Sequence, residues 1–170
     1  QTGVVANVER GNLAAQGAAD APWVAAPEGQ VVNQGYAIRS AQGTVATLTF
    51  FDASSMRIER GGEWRLRDLS GSLNQRLGRV VVRQKLGRAS YVSAPPRRGY
   101  ALGLRVETDE GALDLVGVAT VTCSATEGTR VEMWQGRATL EVAGKRMALG
   151  AGQAAVISPQ KAITIIGQTP

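Results

Sequence analysis

The 170-residue chain contains no histidine. Ser-His-Asp and Cys-His nucleophile arrangements, His-ligated metal sites and the commonest general base are therefore ruled out. The single cysteine, Cys123, cannot form an internal disulfide. One thiol without an imidazole also cannot supply the four ligands of a structural zinc site. Cys123 lies in the strand-like run Val121-Thr122-Cys123-Ser124, with no local base or cation, and reads as a small buried hydrophobe. Aromatics make up only 5 % of the chain and are not interleaved with the basic residues, so nothing favours nucleic acid as a partner. No segment approaches the ~20 consecutive apolar residues of a membrane-spanning helix. The opening Gln1-Thr2-Gly3-Val4-Val5 lacks the basic and apolar regions of a secretory leader. What remains is a binding or structural module without metal or cofactor, and not an enzyme.

Apolar residues make up 44 % and charged residues 19 %, the balance of one globular domain spanning 1–170. Its dominant pattern is period-2 alternation punctuated by the 21 glycines, which is the pattern of strands and turns. Thr44 to Phe51 alternates Val45, Thr47 and Thr49 with Ala46, Leu48 and Phe50, then meets Asp52-Ala53-Ser54-Ser55, residues whose side chains favour turns. Met56-Arg57-Ile58-Glu59-Arg60 and Trp64-Arg65-Leu66-Arg67 alternate likewise, with Gly61-Gly62 expected to turn between them. Ala14 to Ala21 offers at most a helical turn. Ser72 to Leu86 has some helical spacing, but the Val80-Val81-Val82 triplet and Gly78 favour a strand. The expectation is an all-β fold, a β-solenoid-like stack or two-sheet β-sandwich of about a dozen short strands with little or no helix. Ser93-Ala94-Pro95-Pro96-Arg97-Arg98-Gly99 reads as a surface loop, and Trp23, Trp64 and Trp134 as core anchors rather than sugar platforms.

Charge is unevenly distributed. From Arg57 to Arg105 twelve basic residues face three acids, a net +9, and the remainder carries −4. Period-2 spacing places Arg65 with Arg67 on one strand face and Arg83 with Lys85 on another. These four residues are the candidate basic contact face, for an acidic protein surface or for anionic glycan or lipid head groups. Otherwise they form a solvated outer face. Glu107-Thr108-Asp109-Glu110, with Asp114 beyond, lacks the order of a calcium loop and reads as a charged turn.

The order of several pieces resembles the FecR-type domain, the extracytoplasmic module of bacterial anti-sigma regulators and related cell-envelope proteins. Trp23 precedes Gly35-Tyr36-Ala37-Ile38-Arg39-Ser40, similar to the family's G-D-x-I-x-T. Thr44 to Ser54 is similar to its S-x-A-x-L-x-F-x-D-G-S, with Asp52 in the acidic turn and Ala53 where the family has glycine. Leu104 to Thr108 resembles F-x-V-x-T, and Val131 to Ala138, with Gly136, resembles V-x-V-x-x-G-x-V. Leu149-Gly150-Ala151-Gly152-Gln153 matches the closing L-x-A-G-Q. Around Val116-Gly117-Val118-Ala119 the family's R-G-T-x-F is degenerate.

The resemblance implies structural roles for Trp23, Gly35, Asp52, Gly136, Gly152 and Gln153. It also implies an extracytoplasmic location, in the periplasm or at the cell surface, with membrane anchoring by a segment outside this chain. The implied action is protein contact without cofactor, passing an envelope signal from a partner such as a surface receptor's signalling domain to an anti-sigma/sigma-factor system.

Overall fold

The alternating segments form strands almost throughout. The computed structural model describes residues 4–26 and 29–167; the leader reading of Gln1–Gly3 lies outside the described residues. Among the described residues fourteen strands make one sheet. They are β1 (Val4–Arg10), β2 (Leu13–Gln16), β3 (Val24–Ala25), β4 (Val31–Val32), β5 (Ala37–Ser40), β6 (Val45–Thr49), β7 (Ser55–Ser72), β8 (Leu77–Val92), β9 (Ala101–Glu107), β10 (Ala112–Ser124), β11 (Gly128–Val142), β12 (Lys145–Gly150), β13 (Gln153–Ile157) and β14 (Ile163–Gly167). Among the described residues the helical content is one 3-10 turn, Leu73–Gln75, capped by Ser72. The all-β expectation holds, and the sheet is single and open, running β14-β13-β11-β10-β9-β8-β7-β5-β2-β3, with β1, β4, β6 and β12 paired off that path.

Several strands are long. β7 and β8 have 18 and 16 residues. Gly61-Gly62 does not turn, and the chain runs straight through it in β7. There Arg60 pairs with Arg88 and Glu63 with Leu86, so two β7 residues oppose Gly87 in a bulge. Glycine is required because a Cβ at Gly62 would lie 2.1 Å from the Leu86 carbonyl oxygen. The Ala-rich stretch holds β2, then a bend and a single hydrogen-bonded turn in which the Ala21 N–H donates to the Ala18 carbonyl at 3.0 Å, and Ser72 to Leu86 is strand on both sides of the short 3-10 turn.

Connection lengths show that the long hairpin is rolled. A straight 16-residue strand would be about 53 Å long at ~3.3 Å per residue. β9 runs parallel to β8, with Ala101 beside Leu77. The eight residues 93–100 that connect them span at most about 29 Å. β8 must therefore curve, and its bulges supply the bend. The curl brings the start of β8 back to the β6–β7 turn, where a Cβ added at Gly78 would sit 3.3 Å from the Phe51 ring. Loop 93–100 crosses the resulting seam.

The inner face of the rolled sheet forms one apolar cluster, including Leu48, Met56, Ile58, Trp64, Leu66, Val82, Tyr91, Val121, Met133 and Leu140. Each fully buried large side chain contributes roughly 1.5–3 kcal/mol. A polar group sits inside it. The Gln84 side chain donates to the carbonyls of Gly87 at 2.8 Å and Val121 at 2.9 Å, and accepts from the Tyr91 hydroxyl at 2.8 Å. Gln84 thereby ties β8 to β10, beside the bulge in the β7–β8 pairing.

Candidate interaction surface

Arg65 and Arg83 are directly opposite each other across β7 and β8. Like charges in that position repel, and each is held by a separate partner. Arg65 donates to the Gly35 carbonyl at 2.9 Å, and Arg83 pairs with Asp109 at 2.6 Å. Arg67 and Lys85 are the extra residues of two bulges, because Leu66 and Asp68 pair with adjacent Val82 and Val81, and Glu63 and Trp64 with Leu86 and Gln84. The simple period-2 stripe is thus broken at both positions. Arg67 and Lys85 are exposed and make no ion pair among the described residues. The structure brings the first two arginines together and leaves the other two side chains outward at irregular positions.

Folding cancels part of the charge separation seen in the sequence. Acids from outside the basic stretch reach into it: Glu9 pairs with Arg57, Asp109 with Arg83, Glu132 with Arg88, and Asp114 and Glu141 with Arg105. Within the stretch Asp68 meets Arg79 and Glu59 meets Arg88. Burial disfavours the Arg105 charge, but Asp114 and then Glu141 outweigh it and hold its pKa above the ordinary value. Each such exposed pair stabilises by about 0–1 kcal/mol, so their main effect is to cancel field. The acidic Glu107–Glu110 segment is a turn as expected, closed by Thr108 and Gly111 at 2.8 Å.

Of the six residues of the family-like motifs, Gly35, Asp52, Gly152 and Gln153 hold turns, Gly136 lies within the β10–β11 ladder, and Trp23 stacks under Arg39. The Gly35 N–H donates to the Leu66 carbonyl at 2.7 Å, which places its own carbonyl for Arg65. Asp52 Oδ1 accepts from the Ser54 backbone N–H at 2.9 Å and from the Ser54 hydroxyl. Ala53 beside it is left-handed, φ 70, the conformation glycine takes without cost. Gly136 pairs with Gly117, both at positive φ, and a Cβ at Gly136 would lie 2.0 Å from the Val116 carbonyl oxygen. Gly152 donates to the Met133 carbonyl at 2.9 Å, and Gln153 Oε1 accepts from Gly150 at 2.7 Å, closing the β12–β13 turn.

Of the three tryptophans only Trp64 is a core anchor, 1 % exposed. Trp134 is 58 % exposed and ties its indole N–H to Thr120 Oγ1 at 2.8 Å. It occupies the bulge between Val118–Gln135 and Ala119–Met133, so β11's alternation does not carry it inward. Trp23 is half-buried under the Arg39 guanidinium, 4.2 Å from its ring centroid. Cys123 is buried as expected, and burial pushes its thiol up to about 12. Asp52, Arg97, Tyr100 and Arg137 line one cavity at the seam, with Arg97 in the expected surface loop.

No family model matches the chain, and no curated protein matches it. Two crystal structures do, at 1.65 and 2.50 Å resolution, of a protein provisionally assigned as an anti-sigma factor from Parabacteroides distasonis ATCC 8503. Their TM-scores are 0.59 and 0.60, with 15 % sequence identity in both. The match covers 75 % and 78 % of this chain but only 57 % and 59 % of theirs, so the chain spans less than two thirds of their length. The likeness shows the fold. It places a rolled all-β sheet of this kind in a protein assigned to sigma-factor control.

Proposed function

We propose that this chain is an extracytoplasmic domain of an anti-sigma regulatory system, acting by protein contact and without catalysis. The observation that carries the reading is the fold shared over about three quarters of the chain with a protein assigned as an anti-sigma factor. The FecR-like motifs support the same reading, since Gly35, Asp52, Gly152 and Gln153 hold turns of the sheet. In this reading an envelope partner shifts the domain's population between states, and the shift is passed to an anti-sigma segment across the membrane or exposes a site for proteolysis. Contact centres on the face carrying Arg67 and Lys85, which make no ion pair among the described residues.

The alternative occupant of that face, an anionic glycan or lipid surface, has less to hold, because Arg65 and Arg83 are already engaged. The test is transcription from the sigma-dependent promoter in cells carrying the full-length gene product. Arg67→Glu with Lys85→Glu should change the response to the envelope signal several-fold, and Lys161→Glu, in the β13–β14 turn, should not. An unaltered response in the double variant at normal protein level would overturn the reading.

A further inference from the structure

The seam where the β7–β8 hairpin closes on itself contains a cavity of about 190 Å³. At about 30 Å³ for each liquid water it has room for several waters or one small metabolite, and it is smaller than the usual pocket for a drug-sized ligand. Asp52 lines it from the β6–β7 turn, Ser93, Arg97 and Tyr100 from the seam loop, and Arg137 from β11. The apolar wall includes Leu115.

Asp52 is only 4 % exposed, and while its Oδ1 holds the turn through Ser54, its Oδ2 is buried without a hydrogen-bond partner. An unpartnered buried acceptor is costly, and native structures rarely keep one without a purpose. Both guanidinium residues belong to the same cavity, yet neither satisfies that oxygen. Arg97 is drawn instead to Tyr100, with its guanidinium 5.7 Å from the ring centroid, and Arg76 flanks the same ring at 5.9 Å. A free anion would meet the arginines but also face Asp52. An amine alone would meet Asp52 but face two cations. A metal ion would find a single carboxylate, and no cluster of three metal-ligating side chains occurs among the described residues.

We infer that the seam cavity binds a small zwitterion of the amino-acid type. Its ammonium donates to Asp52 Oδ2, and its carboxylate is received by Arg97 and Arg137. Charge-assisted hydrogen bonds of this kind are among the stronger ones available. Because the loop crossing the seam supplies Arg97 and Tyr100, occupancy stiffens that loop, so ligand binding and closure of the rolled sheet are coupled.

The inference is tested by calorimetric titration of the protein with glycine, β-alanine and γ-aminobutyrate at millimolar concentrations. Methylamine and acetate serve as one-ended controls. At least one zwitterion should bind saturably at one site, with either control weaker by about tenfold or more. Asp52→Asn keeps the Oδ1 acceptor for Ser54 and should lose about tenfold or more in affinity, as should Arg137→Gln on the exposed side. Absence of saturable binding by all three zwitterions, or a control binding as well as they do, would overturn the inference. So would wild-type affinity in folded Asp52→Asn. Should that variant not fold, undiminished affinity in Arg137→Gln overturns it alone.

Discussion

Gln84 gives the sharpest test of how the rolled sheet is held. It is fully buried, and its side chain serves the Tyr91 hydroxyl and the carbonyls of Gly87 and Val121. Gln84→Met keeps shape and volume but removes all three bonds. A buried hydroxyl without a partner costs about 1–3 kcal/mol. The two carbonyls lose less because each has a second lone pair. The expected loss is about 2–4 kcal/mol, a large part of a domain's typical ~5–15 kcal/mol.

Tyr91→Phe removes only the donor to Gln84 and should cost about 1–2 kcal/mol. The double variant should be little worse than Gln84→Met alone, since the orphaned hydroxyl has gone. That leaves a coupling energy of about 1 kcal/mol or more between the two sites. Urea denaturation followed by tryptophan fluorescence, with circular dichroism alongside, measures all three. Single-variant losses that add to within about 0.3–0.5 kcal/mol would refute the network. Wild-type stability in Gln84→Met would refute it more bluntly.

Three further outcomes follow from burial and backbone geometry. The Cys123 thiol is pushed up to about 12 from its ordinary 9.0, chiefly by burial, and the Tyr91 phenol is raised well above 10.0 for the same reason. Both are acids kept neutral by the fold, so the Cys123 contribution is complete below about pH 9 and lost as pH rises toward about 12, while the Tyr91 contribution begins to be lost only above pH 10.0. Denaturation midpoints measured across that range should fall, and native Cys123 should resist alkylation at pH 8 until urea unfolds the chain. Gly136→Ala forces a Cβ against the Val116 carbonyl at positive φ and should destabilise by about 2 kcal/mol or more in the same urea assay. Ala53→Gly, which relieves a left-handed alanine, should instead raise the midpoint, by about 0.5–1 kcal/mol of stability.

How much of this was legible depends on the range of the interaction involved. Strand alternation is local, so Val45–Thr49 and Trp64–Leu66 could be read directly, and the Asp52–Ser54 turn followed from side chains that bond to their own backbone. Gly61-Gly62 carries the same local signature as a turn, and only the approach of Leu86 from across the hairpin shows why it is strand. The candidate face suffered similarly. Spacing identified Arg65, Arg67, Arg83 and Lys85, but the bulges at Arg67 and Lys85 are set by pairing register between residues 13 to 23 apart in sequence. The cancelling acids come from farther still, as with Glu9 and Arg57. Trp134 was misplaced for the same reason, a bulge that period-2 reading cannot see. The period-2 spacing that puts Arg83 and Lys85 on one face puts Gln84 on the other, but nothing local shows its tie to β10.

The central claim is that this domain works by contact with a protein partner in the cell envelope. The most direct measurement is site-specific photo-crosslinking in intact cells producing the full-length gene product, with the photoreactive residue at position 67 or 85 and, as control, at 161. The account predicts one discrete signal-dependent adduct with an envelope protein from positions 67 and 85 and none from 161. Equal labelling at all three positions, or no protein adduct from 67 and 85 while the sigma-dependent response stays intact, would contradict it.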